Sequence, residues 1–328
     1  MPPSRVPAAA RRPAPAPPVA ALLAALLVPG TVPAADGAPR VVADIAPVAS
    51  LVAQVMGERG APVTLVEPGA SPHDRSMRPS AARALTGADV VVRTADGLTP
   101  WLPDTLRSLA PDAVSVELLG VPGSVRLAAR DGATFAADGA DRDDHGHGED
   151  DDDAVGSPAA PVDPHAWLDP ENARVWLDAI AGTLADADPD GADVYRANAA
   201  RARAALDALE ARVRDRLAPV RGRPFAVAHD DLRYFEARFD MPALGAVVAS
   251  DAAGPGPARL DALRGAITAE RARCVFTEPG SGERLARTVA GDARVAELDP
   301  LGARLEPGPA LYAELLEGVA DALADCLA

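Results

Sequence analysis

The sequence predicts an α/β protein, and three observations carry that prediction. Short runs rich in Val, Ala, Phe and Leu alternate with helical patterns in the first half of the chain, and the alternation resumes in the second. Between the halves lies one long amphipathic pattern, from about Ala192 to Leu217. At 328 residues the chain is long enough for two domains of roughly 150 residues each. Hydrophobic residues make up 48% and aromatic residues only 3%, so the cores must be built mainly from Ala, Val and Leu.

In the first half, Val41–Ile45 reads as a strand. Pro47 opens a helix through Leu51, Val52, Val55 and Met56 that stops near Gly57. Val63–Val66 is a second strand, followed by the Glu67-Pro68-Gly69 loop. Pro79–Leu85 and Leu98–Leu109 read as helices, Asp89–Val92 and Val114–Leu118 as strands. This alternation predicts a mostly parallel sheet flanked by helices. Residues 124–162 interrupt it. Asp138–Asp153 is almost entirely Asp, Glu, Gly and His with no apolar period, and a disordered acidic loop is expected over 138–161.

Asp169-Pro170-Glu171 supplies an N-cap acid, a proline at the first helical position and an acid in the first turn, so a helix starts there and runs to about Asp186. Asp188-Pro189-Asp190-Gly191 is a turn. The long pattern follows. Tyr195, Ala199, Ala202, Leu206, Leu209, Val213 and Leu217 recur at spacings of three and four and form one apolar stripe. Such a helix is about 40 Å long, which suits a rod between two lobes or a surface helix of one. Beyond it, Phe225–His229, Ala246–Ala249, Cys274–Thr277 and Val295–Leu298 read as strands. Tyr234–Phe239, Leu260–Arg271, Glu283–Val289 and Tyr312–Leu327 read as helices.

The first 35 residues read as an export signal. Arg5, Arg11 and Arg12 form the positive region, Val19–Val28 the apolar run, and Ala34 and Ala35 a small-residue cleavage site. The run falls short of the ~20 apolar residues of a membrane span. Its removal takes away three arginines and no acid, moving the formal charge from −16 to −19. That charge argues against nucleic acid and anionic membranes as partners. In an oxidising compartment, Cys274 and Cys326 are expected to form a disulfide. It would close a loop of ~50 residues, for a stabilisation of a few kcal/mol.

The chain has five histidines. His145 and His147 lie in the acidic run, beside eight acids from Asp141 to Asp153. His73 follows the second strand, His165 lies in Asp163-Pro164-His165-Ala166-Trp167-Leu168-Asp169-Pro170, and His229 ends a strand. In open α/β sheets ligands bind beyond the carboxyl ends of strands. A cleft there would gather His73, His165 and His229 with Glu278 and Asp299, each of which also follows a strand. Three imidazoles with a carboxylate or water suit a tetrahedral zinc ion. Asp74, Asp163, Asp230 and Asp231 are placed to orient the rings.

Several segments resemble the zinc-binding proteins of bacterial ABC importers, the ZnuA-like members of the cluster A-I solute-binding proteins. Gly69-Ala70-Ser71-Pro72-His73-Asp74 with Met77-Arg78-Pro79-Ser80 is similar to the family's first ligand motif, and Asp163–Pro170 to its second. Ala228-His229-Asp230-Asp231 leading to Tyr234-Phe235-Glu236 is similar to the third. Cys274–Pro279 and Leu298-Asp299-Pro300-Leu301-Gly302 are similar to the C-terminal signatures, and the acidic run stands where the family carries a His-rich loop. Two positions depart from the pattern. Pro72 replaces an acid that some zinc members place before the first histidine, and Arg75 replaces an aromatic.

The resemblance implies two α/β lobes, each with a mostly parallel sheet flanked by helices, joined by one long linker helix. It divides the chain into an N-terminal lobe over 36–190, the linker over 191–218 and a C-terminal lobe over 219–328. It implies a periplasmic binding protein rather than an enzyme. Such a monomer captures Zn2+ between the lobes and delivers it to an ABC permease, with a periplasmic metallochaperone as a further candidate partner. The implied ligands are His73, His165, His229 and Asp299, with Glu278 or a water as alternatives to Asp299. A histidine at the third position favours zinc over manganese. A manganese-binding protein or adhesin of the same fold, and a zinc hydrolase, stand as the other readings.

Overall fold

A computed structural model describes residues 37–74, 77–130, 132–135, 161–248 and 254–328. The export segment, Arg75, and the acidic run with His145 and His147 lie outside the described residues. In the first half the strands are β1 (Val41–Ala43), β2 (Val63–Thr64), β3 (Val90–Arg93) and β4 (Val114–Glu117). They form a parallel sheet in the order β2-β1-β3-β4, with Val41 opposite Val90 and Val90 opposite Val114. The second half repeats the plan with β5 (Phe225–His229), β6 (Ala246–Val248), β7 (Cys274–Thr277) and β8 (Arg294–Glu297), in the order β6-β5-β7-β8. The fold class read from the sequence is the one observed. Central strands β1, β3, β5 and β7 are buried almost throughout, as expected of parallel strands covered on both faces, whereas β4 and β8 at the edges are not.

Proline sets several helix starts, because a missing N–H costs nothing at the first helical positions. It stands there in α1 (Ala46–Met56), α2 (Pro79–Thr86), α3 (Leu102–Leu109) and α4 (Pro170–Ala187). Pro103 explains why α3 begins at Leu102 rather than at Leu98. Likewise α7 (Pro257–Ala269) begins three residues before the Leu260 expected from periodicity. The remaining helices are α5 (Ala192–Leu217), α6 (Arg233–Phe239), α8 (Glu283–Ala290) and α9 (Leu311–Leu327).

The 26-residue α5 buries every residue of the apolar stripe and also Asn198. It packs on α1, α4, α6 and α9. Since α1 covers β1 and β3 while α9 packs on β8, α5 bears on the helical layers of both sheets. Gly57 ends α1 at φ +57, and a Cβ there would stand 2.6 Å from Asn198 Nδ2, which instead donates to Val55 O. The turn between α4 and α5 is locked by Asp188, whose carboxylate accepts from Gly191 N, Tyr195 OH and Arg59. Cys274, first in β7, is disulfide-bonded to Cys326 in the last turn of α9, 52 residues on.

Candidate metal centre

His73, His165 and His229 come together. One ring nitrogen from each lies within 4.8 Å of the others, and the ring centroids are 5.1–5.9 Å apart. His165 is buried, and the other two are half-buried. The Nε2 atoms of all three are shielded from solvent, and that of His165 accepts or donates no hydrogen bond. They line a cavity of about 390 Å³ at the carboxyl ends of β5 and β7.

The sequence supplies each histidine with a holder. In the His73 loop, Trp101 Nε1 donates to Pro72 O. In the His165 segment, Tyr234 OH donates to Asp163 O, Tyr312 OH to Trp167 O, and Trp167 Nε1 to Pro300 O. The Trp167 ring packs edge-on against His165. So a chain poor in aromatic residues spends several on fixing the loops that carry imidazoles. His229 needs no such tie, being the last residue of β5. Gly282, at φ +76, brings the loop after β7 so near β5 that a Cβ would lie 2.8 Å from the Ala228 Cβ.

Two rings are aimed by carboxylates. Asp163 Oδ1 lies 2.8 Å from His165 Nδ1 and also accepts from His165 N. Burial alone would raise the Asp163 carboxyl, but the His165 imidazole and its peptide N–H hold it below the usual carboxylate value. Glu278 Oε1 lies 3.0 Å from His229 Nδ1. An ionised carboxylate only accepts, so in both rings Nδ1 carries the proton and Nε2 keeps its lone pair for a metal.

The other expected orienting acids do different work. Asp74 is exposed. Asp230 and Glu236 pair with Arg130, whose guanidinium also stacks on Phe135. Asp231 is 4% exposed, and burial, then the Glu278 carboxylate, push its carboxyl well above the usual range, with His229 acting against them. Asp299 faces the same cavity, but its oxygens accept from Ala303 N at 2.8 Å and Arg304 N at 2.9 Å. It lies outside the group formed by the three imidazoles. Glu278, weighed above as a ligand, is the orienting acid that sequence reasoning missed. Its position directly after a strand was the available signal.

A family described as zinc-uptake complex component A, periplasmic (ZnuA), matches residues 41–326. The chain belongs to this family. The high-affinity zinc uptake system protein ZnuA of Paracoccus denitrificans is 40% identical over 94% of this chain and 98% of its own length. A crystal structure of a ZnuA superposes at a TM-score of 0.71 with 22% identity, covering 89% of this chain and all of that one. A manganese-bound periplasmic metal-binding protein from Candidatus Liberibacter asiaticus superposes at 0.69 with 18% identity, over 88% and 100%. At such identities the zinc-uptake component and the manganese binder share a fold with this chain and no more, so the donor atoms must decide the metal.

Proposed function

We propose that the chain captures one Zn2+ on the Nε2 atoms of His73, His165 and His229 and delivers it, in the periplasm, to the permease of an ABC importer. The observation that carries this reading is the mutual 4.8 Å approach of three ring nitrogens, two of whose rings are turned by carboxylates so that Nε2 faces the cluster. Three imidazoles suit zinc better than manganese, which prefers carboxylate and water. Membership of a zinc-uptake family, and a sequence that opens with the pattern of an export signal, support the transport role. A water takes the fourth position in this arrangement. Asp299 faces the same cavity and keeps lone pairs beyond those the Ala303 and Arg304 peptides take, so it is the carboxylate that would replace the water.

The test is titration of metal-free protein with Zn2+ and with Mn2+ against a competing chelator. One tight Zn2+ and much weaker Mn2+ are expected. His73→Ala, His165→Ala and His229→Ala should each weaken zinc binding at least 100-fold, since three ligands leave no redundancy. Preference for Mn2+, or a variant with wild-type affinity, would remove the reading or that ligand. Sustained ester hydrolysis by the zinc-loaded protein would favour the hydrolase instead.

A further inference from the structure

Asp231 stands out among the buried acids. It is 4% exposed, it faces the cavity, and among the described residues no donor hydrogen-bonds its carboxylate. The contrast with its neighbour is direct. Asp230 is equally buried and carries the Arg130 guanidinium as its counter-charge. Asp231 instead faces a second acid, Glu278. A buried carboxylate without a donor or a cation is costly, and two side by side more so; such groups are found paired or on a metal. The cluster has a third member. Ligand atoms of His229, Asp231 and Glu278 all lie within 4.8 Å of one another.

We propose that His229, Asp231 and Glu278 form a second divalent-cation position, contiguous with the three-histidine group and sharing His229 with it. This rests on the reading of the three histidines as the main zinc site. Two carboxylates and one imidazole make a harder, less zinc-selective donor set than three imidazoles. The second position therefore binds zinc more weakly. His229 serves the two positions with different nitrogens, Nε2 toward His73 and His165 and Nδ1 beside Glu278, so binding at the second position moves the ring proton from Nδ1 to Nε2. The carboxylates meanwhile gain the positive charge their burial calls for.

The two positions can be separated by disabling the first. His165→Ala removes one imidazole from the main group and leaves the second intact, and equilibrium dialysis with Zn2+ reads what remains. Zinc binding in His165→Ala should persist at one ion per chain, at least 100-fold weaker than wild type. Adding Asp231→Asn should cut that residual affinity a further tenfold or more, and Glu278→Gln should do the same. Asp231→Asn is isosteric and breaks no hydrogen bond of the described residues, so circular dichroism should show the double variant folded. Crystals of His165→Ala soaked in Zn2+ should give an anomalous peak beside Asp231 and Glu278. If His165→Ala binds no zinc, or if its residual binding ignores both Asp231→Asn and Glu278→Gln, the second position does not exist. Failure of the main reading looks different: wild-type protein itself would take up no tight zinc.

Discussion

An imidazole serves a metal only when its ring is aimed, and here the aiming is as specific as the ligand. Asp163 Oδ1 lies 2.8 Å from His165 Nδ1 and 2.9 Å from the His165 peptide nitrogen, at a site 2% exposed. Asp163→Asn keeps the shape but loses the charge, so ring orientation and basicity both suffer. Zinc affinity should fall about 10–100-fold, with thermal stability of the metal-free protein less affected. Chelator competition and a melting curve together check this, and an affinity within twofold of wild type would show that Asp163 only packs. The three histidines were legible in the sequence because the other two of the chain's five sit in the acidic run. Of the acids that aim the rings, Asp163 was legible and Glu278 was not. Glu278 and Asp299 look alike in sequence, each just beyond a strand, and only strand order tells them apart. β7 lies beside β5, so Glu278 emerges next to His229, whereas β8 lies one strand further out and leaves Asp299 to tie its own loop. Lateral order in a sheet depends on crossovers between distant segments, which a local pattern does not encode.

Elements were legible wherever a local rule governs them. The stripe of α5 is a property of one helix, and all its members are buried as read. Strand ends were read less well, because they depend on partners. The first strand was expected to reach Ile45, but β1 stops at Ala43, where Asp44 turns its side chain into the sheet edge. Asp44 accepts from Ile45 N at 2.8 Å and Thr94 N at 2.6 Å and so joins the ends of β1 and β3. It is fully buried, among the described residues no cation pairs with it, and burial pushes its carboxyl up to about 6, against the lowering effect of those peptides. An acid whose folded value is raised stabilises the fold most when protonated. Its contribution is complete below the unfolded value of 3.8 and is lost as pH rises through about 6. Between pH 4.5 and 7.5 that loss amounts to about 2 kcal/mol. Asp44→Asn cannot ionise. Measured by urea unfolding of the metal-free proteins, its stability relative to wild type should therefore improve by about that amount from pH 4.5 to pH 7.5. A difference that does not change with pH would mean that Asp44 ionises in the fold as readily as in the unfolded chain, better solvated than its burial implies.

At the scale of the molecule, the metal site and the core make the same connection twice. The repeated plan of two sheets was legible from alternation, but not the way they are joined, since a 40 Å amphipathic helix fits a rod or a surface helix equally well. The structure shows α5 against α1, α4 and α9, and one hydrophobic core that runs from the valines of β1 and β3 through α5 to Phe225, Phe276 and α9. The described residues accordingly fall in one compact unit. The cluster crosses the same boundary, with His73 and His165 from before α5 and His229 from after it. An ion bound there stabilises the folded arrangement of both halves against any state in which either is unfolded. At free Zn2+ of 100 times the dissociation constant the gain is about 2.7 kcal/mol. Zinc should therefore raise the melting temperature while keeping a single transition, because neither half can unfold and retain the site. His229→Ala should abolish most of the zinc-dependent rise, although the changed residue lies in the second half alone. Differential scanning calorimetry with and without Zn2+ distinguishes the outcomes. A zinc-dependent split into two transitions, with only one shifted, would show that the ion is held by one half and that the three imidazoles do not act together.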